Sequence, residues 1–185
     1  MQGCRVLQKE EIKALLNEAP DQRTRMLILT GLFLGTRISE SLKLKFGDFR
    51  GPTIRIKSLK GSNDRTLVLP DELRKEVELL ELEYLDAHYD ITDRTPVFFS
   101  QKDPSKPICR QRASLIIKQI KEAAGVDGKV AAHSFRKNFT TKIHELCQNN
   151  LVQTAKYTGH KNLNSLVSYI ESTENTDLTK ELAWI

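Results

Sequence analysis

Apolar residues recur at helical spacing along most of the chain. The clearest case is residues 71–89, where Leu73, Val77, Leu80 and Tyr84 fall on one face and carboxylates occupy much of the remainder. Residues 26–35 are apolar on all sides, which predicts a buried helix, and the apolar positions that follow it continue a helical face. Further helices are predicted at residues 10–19, 108–124, 134–147, 152–157, 165–171 and 178–184.

Two other segments alternate with a period of two. Residues 53–58 read TIRIKS and residues 65–70 read RTLVLP, and between them Gly61 and Asn63 suit a tight reversal. This pattern predicts a β-hairpin. Residues 92–107 contain three prolines and are predicted to be mostly loop. The expected fold class is therefore mainly α with a small antiparallel β-sheet (α+β).

Length and composition limit the class of protein. At 185 residues, the chain is expected to form one domain over residues 1–185. No stretch approaches about 18 consecutive apolar residues, and the first residues lack the apolar block of a signal peptide, so neither a membrane-spanning nor a secreted protein is expected. Cys4, Cys109 and Cys147 are widely spaced and form no CxxC pair, which excludes a disulfide scaffold or a cysteine-built zinc site.

The charge is distributed unevenly around a formal net value of +5. Residues 37–68 hold eight basic and three acidic side chains, residues 70–94 hold three and nine, and residues 102–137 hold nine and three. Two basic segments thus flank an acidic one, and a fold that gathers the basic segments on one face would suit a polyanion such as a nucleic acid. The alternative is that these charged residues only cover the solvent-exposed faces of helices.

Two short motifs carry candidate chemistry. In GTRISE, Arg37 and Glu40 follow the buried helix, where a guanidinium must be paired or must reach a pocket; the structural interpretation is an i, i+3 brace. In HSFR, His133 and Arg136 lie three residues apart and project from one helical face, so one proton carrier and one permanent cation can face the same anion. The structural interpretation is a helix-terminal histidine beside a surface arginine.

A third motif, TGHKNLNSLVSYI, contains His160 after a glycine and Tyr169 nine residues later. Taken alone, the tyrosine is explained as core filler beside Leu166 and Ile170. A zinc site is not predicted, because the chain has no HExxH motif.

Taken together, the motifs GTRISESLKLKFGDF, SLKGSNDRTLVLP, HSFRKNF and TGHKNLNSLVSYI, in this order, resemble the tyrosine recombinase (phage-integrase) family over nearly the whole chain, as the catalytic domain of that family. The resemblance implies a fold like that domain. It also implies that Glu40 occupies the acidic position three residues after the first catalytic arginine. The implied catalytic residues are Arg37 as that arginine, Lys60 as the hairpin lysine, His133 and Arg136 as the HxxR pair, His160 as the second histidine and Tyr169 as the nucleophile.

The activity implied by the resemblance is site-specific recombination or integration, in which DNA strands are cleaved and rejoined through a 3′-phosphotyrosyl intermediate. The covalent link conserves the energy of the broken bond, so neither ATP nor a metal nor another cofactor is expected. The expected partners are double-stranded DNA and further copies of the chain, as a tetramer on DNA joined through residues 178–185; packing of that apolar tail in cis is the alternative. The expected location is the cytoplasm, on the nucleoid.

Two other functions are compatible with parts of the pattern. A type IB topoisomerase-like enzyme uses a similar cationic set and a tyrosine, but the short spacing from His160 to Tyr169 and the compact length favour a recombinase. A catalytically silent DNA-binding module should have lost a reacting side chain, and none is missing.

The chain also departs from the family pattern, mildly at Leu34-Gly35-Thr36 before the first arginine and in two further ways. The helical core-binding domain that normally precedes the catalytic domain is expected to be absent from this chain. Leucine often precedes the GH pair in the family, whereas Thr158 stands there in this sequence.

Overall fold

The computed structural model describes residues 4–59, 62–167 and 170. These residues form helices joined by two short antiparallel hairpins, which confirms the expected α+β fold class. The helices are α1 (Lys9–Asn17), α2 (Gln22–Leu34), α3 (Ile38–Ser41), α4 (Asp71–Asp86), α5 (Arg110–Ala123), α6 (Ala132–Leu146), α7 (Leu151–Thr158) and α8 (Leu163–Val167), with a 3₁₀ helix at Phe46–Phe49. The strands are β1 (Thr53–Ile56), β2 (Arg65–Val68), β3 (Phe99–Ser100) and β4 (Asp103–Pro107). The helix predicted at residues 178–184 lies outside the described residues.

The first hairpin has the predicted position and alternation. Strands β1 and β2 pair antiparallel, with Thr53 opposite Val68 and Ile56 opposite Arg65. Alternate side chains of each strand are buried, as the period of two requires. Arg65 occupies an inward position of β2, in phase with the buried Leu67.

The helical face predicted to continue from α2 into residues 38–44 is wrong, because the chain turns sharply after Leu34. Gly35 has a left-handed backbone (φ 58°), and a Cβ there would overlap the ring of Phe139. The new direction is fixed by buried hydroxyls: the Thr36 Oγ1 donates to the Thr30 carbonyl at 3.0 Å and lies 2.6 Å from the Ser41 Oγ. The apolar residues keep their helical spacing across this turn, so Gly35 is the residue in the sequence that indicates it.

The interior is one apolar cluster assembled around α2. Helix α4 buries the four side chains predicted for its inner face, and α6 packs against α2 through Phe135 and Phe139. None of the helices in the described ranges is long and apolar enough to cross a bilayer.

The prediction of a mostly irregular segment at residues 92–107 is wrong at its C-terminal half, where β3 and β4 pair. Phe99 lies opposite Pro107 in this hairpin, and the apolar residues that lead into β3 are buried in the core. Pro104 and Pro107 lie on exposed β4, which forms one edge of the two-stranded sheet, where a missing N–H costs little.

Candidate active site

The turn after α2 places Arg37 and Glu40 at the start of α3. The backbone N–H of Arg37 donates to Glu40 Oε2 at 3.0 Å, and its Nη1 donates to Glu40 Oε1 at 3.1 Å. The same Nη1 contacts the hydroxyl of Ser62. The brace predicted from the i, i+3 spacing is therefore present. The Glu40 side chain is only 1% exposed whereas that of Arg37 is 28% exposed, so the guanidinium keeps a surface open to a ligand.

Arg136 approaches the same carboxylate from α6 and is fully buried. Its Nη1 lies 3.8 Å from Glu40 Oε2 and donates to the carbonyl of Gly35. Its Nη2 donates to the Thr158 carbonyl at 3.0 Å. A buried guanidinium is tolerated only when it is paired and hydrogen-bonded. Arg136 therefore joins the C-terminal ends of α2 and α7 to the start of α3.

His133 lies one helical turn before Arg136, at the second position of α6. Although the residue is exposed, part of its ring is out of water, and this desolvation lowers its pKa below the usual value. The positive charges of Arg136 and Arg37 lower the pKa further. Both effects favour the neutral imidazole of His133, which has one nitrogen lone pair able to accept a proton.

His160 follows the end of α7 and is 5% exposed. Its Nδ1 lies 2.7 Å from the Thr158 hydroxyl, and its Nε2 lies 3.5 Å from Arg136 Nη2. Burial, and then the charges of Arg136 and Arg37, lower the pKa of His160 to about 3. The ring is therefore neutral at physiological pH in the protein without a ligand.

The first hairpin docks against this end of α7. The backbone N–H of Asn63 donates to the Gly159 carbonyl at 2.8 Å, and Ser62 forms a backbone bridge with His160. Gly159 has a left-handed backbone (φ 74°), and a Cβ there would lie 2.8 Å from the Asn63 carbonyl oxygen and 3.2 Å from Arg65 Nη1. Glycine is thus required at position 159 both for the turn and for the approach of the hairpin.

Arg65 fastens the hairpin to the buried carboxylate. Its Nη2 donates at 3.0 Å to the carbonyls of Leu34 and Gly35 and lies 3.4 Å from Glu40 Oε2. The Arg65 side chain is 1% exposed. The sequence analysis assigned no role to Arg65. The signal that could have identified it is a charged residue at an inward-facing position of a strand, where an apolar residue is expected.

The structure brings together the predicted site residues that it describes. Arg37 and Arg136 share Glu40, His160 contacts Arg136, and His133 lies one turn away on the same helix. Lys60 and Tyr169 lie outside the described residues. The sequence analysis assigned no role to Arg65 or to two hydroxyls at the site. The Ser62 hydroxyl contacts Arg37, and the Thr158 hydroxyl contacts His160.

The arrangement is suited to a tetrahedral oxyanion. Three guanidinium groups face one carboxylate, and forked N–H donors match the oxygens of a phosphate or sulfate. In the part of the chain that the structure describes, no three His, Cys, Asp or Glu side chains are grouped so that they could hold a metal ion.

Comparison of the sequence with known proteins identifies relatives across nearly the whole chain. The model of the phage integrase family matches residues 5–176. A tyrosine recombinase XerA of Pyrococcus furiosus is 30% identical over 145 residues, which cover 75% of this chain and 48% of the relative. A tyrosine recombinase XerH of Campylobacter jejuni is 28% identical over 171 residues, covering 86% of this chain and 46% of the relative. The chain thus spans about half the length of these relatives.

Solved structures of similar fold cover the chain almost completely. A XerA recombinase crystal structure superposes with a TM-score of 0.76 at 21% identity, covering 98% of this chain and 67% of that one. A XerH site-specific recombinase, bound to its difH substrate in a pre-cleavage complex, superposes with a TM-score of 0.74 at 25% identity, covering 97% and 54%. The fold of the described chain is therefore the fold of these recombinases' matching domains.

Proposed function

Because the chain belongs to the phage integrase family, we propose that it is the catalytic domain of a site-specific tyrosine recombinase, which cleaves and rejoins DNA strands through a 3′-phosphotyrosyl intermediate. The proposal rests on one observation above the others: Arg37 and Arg136, from separate helices, converge on the buried carboxylate of Glu40. That convergence provides fixed N–H donors for one phosphodiester. The relatives in the comparison are named tyrosine recombinases, which favours neither a topoisomerase-like enzyme nor a silent DNA-binding module.

The two arginines supply the electrostatic part of catalysis. A phosphodiester resists attack because its negative charge repels nucleophiles, so the charge that develops in the transition state must be stabilised by preorganised donors. Arg37, which keeps an exposed surface, meets the phosphate directly in this proposal, while Arg136 is fixed beside it by two carbonyls and Glu40. His160 completes the phosphate site. Its neutral ring carries one N–H, which donates to a phosphate oxygen when the hydrogen is on Nε2.

The bond-making steps are assigned to Tyr169, His133 and Lys60. The Tyr169 Oη attacks phosphorus while the bond from phosphorus to the 5′-oxygen breaks, which leaves a 3′-phosphotyrosyl link and a free 5′-hydroxyl. His133, neutral and beside two arginines, accepts the phenolic proton. Lys60, two residues before Ser62 in the hairpin, gives a proton to the departing 5′-oxygen. Rejoining runs the same steps in reverse with a 5′-hydroxyl from another strand.

The test of this function is the covalent adduct itself. A nicked suicide substrate releases the short downstream strand after cleavage, so the protein–DNA adduct accumulates and is resolved on a denaturing gel. We expect an adduct with the wild-type chain and none with Tyr169→Phe, which keeps the ring but lacks the attacking oxygen. Tyr157→Phe is the matched control, because Tyr157 is the exposed tyrosine of α7 and should be dispensable.

Each result of this experiment bears on the proposal. Loss of DNA binding by Tyr169→Phe would contradict a purely chemical role for the hydroxyl. An adduct that persists in Tyr169→Phe and disappears in Tyr157→Phe would move the nucleophile to α7. Wild-type protein that binds a recombination site without forming any adduct would overturn the proposed enzyme in favour of a binding module.

The proposed partners are double-stranded DNA and further copies of this chain. Solved relatives of similar fold include a XerH bound to difH DNA and a lambda integrase dimer bound to a core site. We expect a tetramer on paired sites, held together through residues 178–185, which lie outside the described residues. Removal of these residues should leave DNA binding intact and abolish the slower complexes in a native gel, whereas retention of those complexes would exclude this segment as the link.

The proposed place of action is the DNA of the host cell, in the cytoplasm on the nucleoid. A fluorescent fusion should colocalise with stained DNA. A fusion found at the cell envelope would contradict this location.

A further inference from the structure

Arg65 carries a buried charge that its hydrogen bonds satisfy only in part. Its hydrogen bonds to two carbonyls and to Glu40 are all made by Nη2, whereas Nε and Nη1 are buried and have no hydrogen-bond partner within the described residues. Loss of water lowers the pKa of Arg65 more than the carboxylate of Glu40 raises it, so the interior disfavours the charge. An apolar side chain would fill this inward position of β2 at less cost. A charge kept against such a cost is expected where it serves function.

Arg65 shares its acceptors with Arg136. The carbonyl of Gly35 accepts from Arg65 Nη2 at 3.0 Å and also from Arg136 Nη1. Glu40 Oε2 lies 3.4 Å from Arg65 Nη2 and 3.8 Å from Arg136 Nη1. Two guanidinium groups repel each other, and the carboxylate and the carbonyl that contact both of them balance that repulsion. The position of the Arg136 guanidinium therefore depends on that of Arg65.

Arg65 is also connected to Arg37, by two routes. The first is Glu40, whose Oε2 accepts from the Arg37 backbone N–H at 3.0 Å. The second is the docked end of the hairpin, where Ser62, three residues before Arg65, contacts Arg37 Nη1 through its hydroxyl. A shift of Arg65 would therefore disturb two of the groups that hold Arg37.

We propose that Arg65 is a positioning residue, which fixes Glu40 and the docked hairpin so that the two phosphate-binding arginines present their N–H donors in one arrangement. Because its side chain is 1% exposed, Arg65 does not reach the DNA and acts only through these groups. The consequence for the reaction, which rests on the proposed function, is a phosphate site that needs little rearrangement when the DNA strand binds.

Arg74 provides a matched control beside the open end of the same hairpin. Its Nη1 donates to the Phe49 carbonyl at 3.2 Å, and its Nη2 donates to the Gly51 carbonyl at 2.9 Å. Gly51 lies two residues before β1, so Arg74 also fastens the hairpin through backbone carbonyls. Neither carbonyl belongs to the candidate site. Arg65→Gln and Arg74→Gln therefore remove the same kind of anchor from the two ends of one hairpin.

The test compares two suicide substrates that differ only at the scissile phosphate. One has the ordinary phosphodiester and the other has a methylphosphonate, in which a methyl group replaces a charged oxygen. Cationic donors matter less for the neutral group, because less negative charge develops when it is attacked. With protein in excess, the rate of adduct formation on the phosphodiester divided by that on the methylphosphonate reports how well the arginines meet the phosphate. A smaller folded fraction lowers both rates equally and leaves this ratio unchanged.

We expect Arg65→Gln to lower the ratio by at least about tenfold and Arg74→Gln to leave it within about twofold of wild type. Arg37→Ala, which removes a donor outright, should lower the ratio further. An unchanged ratio in Arg65→Gln beside a lowered one in Arg37→Ala would overturn the positioning role and leave the proposed function intact. An equal fall in Arg74→Gln would do the same, because the effect would then come from any loosening of the hairpin.

Arg65→Lys provides a second variant at the same position. It keeps the buried charge but loses the forked group, and it supplies the same comparison, with a fall in the same direction, if Arg65→Gln does not fold. Failure of both Arg65 variants to fold, with Arg74→Gln folded, would make Arg65 a structural anchor and overturn the inference. A wild type that forms no adduct on either substrate, or an Arg37→Ala variant with the wild-type ratio, would refute the proposed function, and the inference with it.

Discussion

Arg37 and Arg136 share the carboxylate of Glu40, but the two arginines are embedded to different depths. Arg136 has no exposed surface and donates to two carbonyls that end helices, whereas the Arg37 side chain is 28% exposed. Removal of Arg136 takes a donor from the buried carbonyls of Thr158 and Gly35 and leaves a cavity, which is more costly than removal of the partly exposed Arg37. The two residues therefore serve the same phosphate in the proposed reaction but contribute differently to the fold.

This difference leads to a prediction for the pair of alanine variants. Both Arg37→Ala and Arg136→Ala should slow adduct formation by at least about a hundredfold. Arg136→Ala should also lower the free energy of unfolding by about 3–5 kcal/mol, and Arg37→Ala by only on the order of 1 kcal/mol. Urea unfolding and a single-turnover gel assay measure the two effects. Equal stability losses in the two variants would contradict a role for the different burial of the two arginines.

Which site residues the sequence can predict depends on where their partners are in the chain. Arg37, His133, Arg136 and His160 stand in short motifs with a characteristic order, so their types and spacing are informative by themselves. Arg65 is different, because its acceptors are two carbonyls at the end of α2 and a carboxylate 25 positions earlier. No local pattern specifies such partners, and only the tertiary fold brings them together.

The hairpin formed by β1 and β2 is the element that links the core to the site. Just before its second strand, Ser62 and Asn63 make backbone contacts with His160 and Gly159, and the strand then begins with the buried guanidinium of Arg65. Lys60 precedes this docked segment by two residues in the sequence. The proposed general acid thus belongs, by its place in the sequence, to the hairpin that docks at the candidate site.

The role of Lys60 is tested with two leaving groups. If Lys60 protonates the departing 5′-oxygen, Lys60→Ala should cleave ordinary DNA very slowly and recover largely on a 5′-bridging phosphorothiolate, because a thiolate leaves without a proton. Arg37→Ala, which lacks a donor to the phosphate oxygens, should not recover to the same degree. Equal slowing of Lys60→Ala on both substrates would make the lysine a phosphate ligand, and unchanged rates on both would make it a solvated turn residue.

The secondary-structure predictions likewise succeed where the cause lies in consecutive residues and fail where it lies in distant parts of the chain. The alternation of β1 and β2 and the inner face of α4 were predicted because a period of two or of 3.6 is written in consecutive residues. The turn between α2 and α3 was missed because it depends on the Phe139 ring, which arrives from α6. The β3–β4 hairpin was missed because its prolines occupy positions on an exposed edge strand.

At the scale of the whole molecule, the centre of the site holds more positive than negative charge. Among the described residues, Arg37, Arg65 and Arg136 surround Glu40, and the two histidines have lowered pKa values. Like charges brought together out of water oppose folding unless an anion joins them. The protein without DNA therefore carries an electrostatic cost that a bound phosphate relieves.

This cost predicts that small oxyanions stabilise the fold. Sulfate or phosphate should raise the Tm of the wild type more than chloride does at equal ionic strength, since binding to the folded state alone stabilises it by about 2.7 kcal/mol at a hundred times the Kd. Arg37→Ala should lose most of that difference. Because sulfate also stabilises proteins in general by exclusion from their surface, an equal rise in wild type and variant would indicate that no anion binds at the site.

Gly159 has a consequence for how sequences of this kind are interpreted. Its left-handed backbone favours glycine and would admit asparagine, but the Asn63 carbonyl leaves no room for any side chain, so packing restricts the position to glycine. A descendant of this gene that had lost its nucleophile would still need that glycine for as long as its hairpin stayed docked. The glycine of a GH pair is thus a marker of ancestry and of an intact hairpin, and evidence of a working enzyme has to come from the side chains around it.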